Sequence, residues 1–290
     1  MWLSAPDPWT NHNIARNAHH SGTAKWFTQG DIFGEWKSTG GLLWIHGLRT
    51  LIIFHPLSAT DRFIAGSGKT VLSYVSPRLL LLNEFTSFIS SSIVEEVHDM
   101  RQMGLVTVSM FYFDFRDRGK QELRHLLSSI LVQLCGLSNK FSEILSALYQ
   151  NHNRGSRQPS EDVLMECLKS MLRLPGQGAL YLIIDALDEC PNSSGYPTSR
   201  KRVLDAIQAL IELELPHVHF CITSRPEIDI RDVLDSLTTY NLALHDQAGQ
   251  NQDILDYINH FVRSDPSVRR WREEDKKLVV ETLEKKAGGM

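Results

Sequence analysis

Apolar residues fall into two alternating patterns along this chain. Short continuous runs with strand character occur at Leu42–His46, Leu105–Phe113, Ala179–Asp185, Val218–Thr223 and, more weakly, Tyr240–Leu244. Between them lie segments of helical length and periodicity at 119–136, 139–150, 160–173, 199–214, 227–237 and 249–263. Continuous apolar strands alternating with helices predict a mostly parallel five-stranded sheet covered on both faces, a three-layer α/β/α fold. Ligands of such sheets bind beyond the carboxyl ends of the strands. Functional residues are therefore expected after the runs LLWIH, LYLIID and FCIT.

Ahead of the first strand, Trp26, Phe27, Phe33 and Trp36 recur at near-helical spacing, which predicts one amphipathic helix over Thr23–Lys37. Residues 1–22 lack apolar periodicity and read as a leader or linker; the pair His19-His20 reads as polar surface. The domain itself is expected over 23–247, and 248–290 reads as the start of a further helical region.

The phosphate-binding chemistry begins at Gly66-Ser67-Gly68-Lys69-Thr70. Glycines let successive N–H groups turn toward an anion, and the following helix points its positive end at the same place. Lys69 would reach the outer phosphates and the Thr70 hydroxyl would bind Mg²⁺. The first glycine of the full pattern should stand where Phe63 is. Gly47, directly after LLWIH, is a suitable one, and removing 48–63 would join strand and loop as LLWIHG-IAGSGKT. A second break follows, since Pro77 stops the helix that Val71-Leu72 opens. Removing 74–90 would join Ser73 to Ser91 and set Leu72, Ile93, Val94, Val97 and Met100 on one helical face, ended by Gly104. Both segments read as short introns translated in error or as a pair of recent insertions; two ordinary surface loops are the plainer alternative.

Two further strand ends carry chemistry. Asp185 terminates LYLIID and is placed to hold Mg²⁺ through water; Glu189, with Asp188 as helper, is placed to position the attacking water. Arg225 follows the run FCITS, where its guanidinium could fork onto a terminal phosphate and report its presence. The charged run Phe113–Arg118 reads as a solvated turn, and Arg200-Lys201-Arg202 as a solvated helix start.

Composition narrows the classes. Lys+Arg 30 against Asp+Glu 34 gives a net charge of -4, so bulk charge recruits neither nucleic acid nor an anionic membrane. The greasiest stretches, 42–54 and 105–113, are shorter than the ~20 apolar residues a spanning helix needs. Cysteines at 135, 167, 190 and 221 show no zinc spacing and read as reduced thiols of a cytoplasmic protein.

The order GSGKT, LIIDALDEC, CITSRP resembles the NACHT branch of the STAND P-loop NTPases, closest to fungal NACHT proteins with a nephrocystin-3-like N-terminal nucleotide-binding domain. WLSAPDPWTNHNIARNAHHSGTAKWF, EW, LLWIHG and FYFDFRD add to the likeness. The resemblance implies an ATP/ADP and Mg²⁺ switch, closed with ADP and opened by ATP, that hydrolyses slowly or not at all. It also implies protein partners or self-association. A non-binding fragment or pseudo-NTPase, disabled by the two insertions, is the other reading.

Overall fold

The structure is a computed structural model that describes residues 2–18, 24–47, 85–102, 106–193, 195, 197–264, 271–277 and 280–281. Gly66, Ser67, Gly68, Lys69 and Thr70 lie outside the described residues, as do the segment 48–63 and residues 74–84 of the second segment.

Five strands, β1 (Gly41–His46), β2 (Val106–Tyr112), β3 (Ala179–Asp185), β4 (Val218–Ser224) and β5 (Tyr240–Ala243), form one sheet in the order β2-β3-β4-β1-β5. Every pairing is parallel, with Tyr112 opposite Asp185, Ile184 opposite Ile222, His46 opposite Ser224 and His46 opposite Ala243. All five carboxyl ends therefore share one edge. The expected α/β architecture is observed, and each strand lies within two residues of its expected bounds.

The inner strands β1, β3 and β4 are buried on both sides because each side meets helices. One face carries Leu42, Trp44, Phe111, Leu182, Ile184 and Phe220. These pack against α5 (Leu123–Cys135), α6 (Asn139–Asn151), α7 (Glu161–Leu172), α8 (Ser199–Ile211) and α9 (Ile228–Leu237). The other face, with Leu43, Ile45, Met110, Tyr181, Ile183 and Cys221, meets α2 (Lys25–Thr28), α3 (Asp31–Thr39) and α4 (Phe85–Gln102). The chain thus returns from β1 over one face and from β2, β3 and β4 over the other. In open α/β sheets such a divergence marks where ligands bind, here the carboxyl edge beside β1 and β4.

Three expectations need correction. The single helix over 23–37 is two, α2 and α3, broken at Gly30; a Cβ there would stand 2.8 Å from the Trp26 carbonyl oxygen. Phe27, Phe33 and Trp36 are nonetheless buried as the spacing implied.

Residues 2–18, expected as a linker, form part of the fold. Leu3 is buried against the α5–α9 face, and α1 (Trp9–Ala18) packs on α4. His12 of α1 is fully buried. Its Nε2 lies 2.8 Å from Glu95 Oε1, and its Nδ1 lies 3.2 Å from both the Tyr112 and Ser91 hydroxyls. At the edge strand β2 it is the Gln133 side chain of α5 that pairs with the main chain, accepting from the Met110 N–H at 3.0 Å and donating to the Met110 carbonyl at 2.8 Å, which occupies part of an edge otherwise open to pairing.

Thirdly, α4 begins at Phe85, so residues 85–90 of the second segment are helical and continuous with 91–102. Ile93, Val94 and Val97 form the buried face as expected, and Ile89 extends it by one turn. After β5 come α10 (Ala248–Ser264) and, among the described residues, helical positions 273–277 and 280–281.

Candidate functional site

Asp185 is the last residue of β3 and is buried. Its Oδ1 accepts a hydrogen bond from Thr223 Oγ1 at 2.6 Å and another from Ser90 Oγ on α4. Thr223 also accepts from the backbone N–H of Ala186 at 3.0 Å. Ala186 has a left-handed backbone (φ 54), which costs a non-glycine residue roughly 1–2 kcal/mol. The Thr223 hydroxyl and the Glu189 N–H, which donates 2.8 Å to the Ala186 carbonyl, hold that bend in place. The bend turns the chain sharply after the aspartate, so the next two acids stand over the sheet edge rather than continuing along it.

The acids that follow are already engaged. Asp188 Oδ1 accepts from the Arg225 N–H at 3.0 Å, and its Oδ2 accepts from Arg225 Nε at 2.5 Å. Burial works against the Arg225 guanidinium, but Asp188, Glu227 and Glu189 hold its pKa above the usual arginine value. Glu189 Oε2 accepts from the Phe115 N–H at 3.1 Å. Burial is the main reason its carboxyl is raised to about 7; the Phe115 bond opposes this, and the charges of Asp188, Asp114 and Asp185 add to it. A carboxyl with that value takes and releases a proton near neutrality, as a general base does.

Gly47 follows β1 and is buried against Leu244. The end of β4 is fixed to β1 by a 2.9 Å hydrogen bond from Trp44 Nε1 to Ser224 Oγ. The structure thus brings Gly47, Asp185, Asp188, Glu189 and Arg225 to one edge.

Two expected roles change. Asp188, expected beside Glu189 as a helper in positioning water, spends both carboxylate oxygens on Arg225. The Phe113–Arg118 turn is not simply solvated: Asp114 is buried and chelated by Arg116 at 2.9 and 3.0 Å. Burial would raise the Asp114 pKa, but those bonds hold it below the usual carboxylate value.

Sequence reasoning missed Thr223 and Ser90, the two hydroxyls on Asp185. Thr223 sat inside the recognised run CITSRP, and a β-branched hydroxyl residue one step before a strand end was the available signal. Ser90 gave none, since it lies in a segment expected outside the helix. No group of three or more acids, histidines or cysteines suited to a metal occurs among the described residues. Magnesium bound to a nucleotide takes one or two carboxylates plus phosphate oxygens and water, so Asp185 with its hydroxyl neighbours fits that demand.

Residues 86–225 match the family described as nephrocystin 3, N-terminal. The match spans a little under half of the chain, from the first turn of α4 to Arg225, and includes Asp185, Asp188 and Glu189 but neither Gly47 nor 66–70. No curated protein matches the chain. Among solved structures, the Aeropyrum pernix ORC2 protein in ADPNP–ADP complexes is similar at 11% identity and a TM-score of 0.37. The alignment covers 94% of this chain and 66% of that one. Among the described residues, no helix is long and apolar enough to cross a membrane.

Proposed function

We propose that the chain is an ATP/ADP- and Mg²⁺-binding P-loop module of a STAND-type, NACHT-like signalling switch in the cytoplasm, acting through protein partners or self-association. The observation that carries this reading is the convergence of Gly47, Asp185 and Arg225 at the carboxyl edge of one parallel sheet, where the crossovers of β1 and β4 diverge. Bound magnesium would neutralise phosphate charge at Asp185. Lys69 and the amides of Gly66, Ser67 and Gly68 would cradle the phosphates, with Thr70 as a second metal contact. Arg225 would meet a terminal phosphate that only the triphosphate has, which supplies the differential contact any switch requires. Engagement of both Asp188 carboxylate oxygens by Arg225 supports slow or no hydrolysis.

Helix α4 bears on how the loop would be completed. Within its first turns Ser87-Phe88-Ile89-Ser90 repeats the hydroxyl, apolar, apolar, hydroxyl order of Thr70-Val71-Leu72-Ser73. Removal of 74–90 would set Ser73 in the register of Ser90, with Thr70 one turn nearer the helix start. One observation favours a second reading, a pseudo-NTPase: Ser90, from within that segment, occupies Asp185 Oδ1. Titration with a fluorescent ATP analogue, on the full chain and on a chain lacking 48–63 and 74–90, separates the two. Binding by the full chain supports the switch as it stands, and binding by the shortened chain alone supports the disabled form. Binding by neither rejects the nucleotide reading.

A further inference from the structure

Arg200 stands at the start of α8, in a basic cluster expected to be solvated, yet it is only 5% exposed. Its Nε donates to the Cys190 carbonyl at 2.9 Å, and its Nη2 donates to the Asp188 carbonyl at 2.6 Å. Nη1 donates to Glu227 Oε2 at 2.5 Å and lies 3.3 Å from Asp229 Oδ2. One guanidinium therefore ties the acid turn after β3 to the turn after β4. The Asp188 carboxylate in turn grips Arg225, and the second oxygen of Glu227 lies 3.7 Å from Arg225 Nη2. Arg200, Asp188, Arg225 and Glu227 close a ring.

We infer that Arg200 is the positioning residue that sets where Arg225 stands, and through it how the chain distinguishes a nucleoside triphosphate from a diphosphate. This rests on the nucleotide reading above. The geometry suits the task because Arg200 holds the main-chain carbonyl of Asp188 and leaves its carboxylate to Arg225. Arg225 can then exchange Asp188 for a terminal phosphate while both turns stay fixed. A planar fork is required, since a single ammonium cannot serve two carbonyls and two carboxylates spread over both turns.

The test uses the full chain with Arg200→Gln and Arg200→Lys, and reads two quantities. The first is hydrogen exchange at the amides of Glu189, Cys190 and Arg225. The second is the ratio of ATP to ADP affinity in Mg²⁺. In Arg200→Gln those three amides exchange about tenfold faster, the worth of one hydrogen bond, while amides of β3 and β4 keep their rates. The affinity ratio falls by about fivefold or more, the low end of a site-to-site coupling, and Arg200→Lys recovers part of both. Should Arg200→Gln not fold, Arg200→Lys against the unaltered chain gives the same two readings. Unchanged exchange overturns the inference, and so does faster exchange with an unchanged ratio, which would make Arg200 structural only. If the unaltered chain binds neither nucleotide, the nucleotide reading fails and the discriminating role with it, while exchange still decides whether Arg200 fixes the two turns.

Discussion

Replacing Thr223 by Val removes one oxygen and keeps the side-chain shape. That oxygen donates 2.6 Å to Asp185 and accepts 3.0 Å from the Ala186 N–H, with Thr223 and Asp185 both buried. A hydrogen bond to a charged group contributes about 1.5–3 kcal/mol, and a stranded buried N–H costs about 1–3 kcal/mol. The two losses share one atom and are not additive, so about 3 kcal/mol in total is expected. With a urea m-value of about 3 kcal/mol/M, the unfolding midpoint falls by ~1 M. Thr223→Ser keeps the hydroxyl and gives up one methyl, costing about 1 kcal/mol. Urea unfolding followed by tryptophan fluorescence measures all three chains. A Val variant within 0.5 kcal/mol of the unaltered chain, or a Ser variant as damaged as the Val one, would refute the claim that this hydroxyl anchors the acid-tipped strand.

Three further outcomes follow from particular residues. Because the Glu189 carboxyl is raised to about 7 from an ordinary 4.5, the folded chain holds the extra proton between those values. Its contribution is therefore full below about pH 4.5 and is lost as pH rises toward 7; Glu189→Gln should flatten that part of the melting-temperature profile and raise stability above pH 7. His12 has the opposite sign: burial holds its pKa below 6.5, so the unfolded chain takes the proton first as pH falls. Stability is lost below pH 6.5, and His12→Gln, neutral throughout, should show a shallower acid limb in the same melts. Gly41 has φ +85, and a Cβ there would come 2.5 Å from Thr239 Oγ1, so Gly41→Ala should lose about 2–3 kcal/mol in urea unfolding from left-handed backbone strain and a forced shift of Thr239.

The sheet was legible because its inner strands are nearly continuous apolar runs that no polar face interrupts, while the edge strand β5, with exposed Asn241, gave the weakest signal. The acid and arginine ends were legible for the same reason, standing where such runs stop. Helix α1 escaped because its sequence, WTNHNIARNA, buries an imidazole satisfied by Glu95, Tyr112 and Ser91 instead of an apolar stripe. Arg200 escaped for a related reason: its burial depends on carbonyls and acids ten or more residues away in sequence, which no local pattern of charge reports. The break at Gly30 turned on the approach of one carbonyl, which periodicity does not sense.

If residues from separate strand ends serve one triphosphate, ligand-induced thermal stabilisation reads that out. Magnesium ATP at 100 times its Kd should add ~2.7 kcal/mol to the unaltered chain, a rise of roughly 5–10 °C in melting temperature. Lys69→Ala, Asp185→Asn and Arg225→Ala should each lose most of that rise, with Arg225→Ala keeping the rise produced by ADP. A stabilisation that survives all three substitutions, or none in the unaltered chain, would contradict the account.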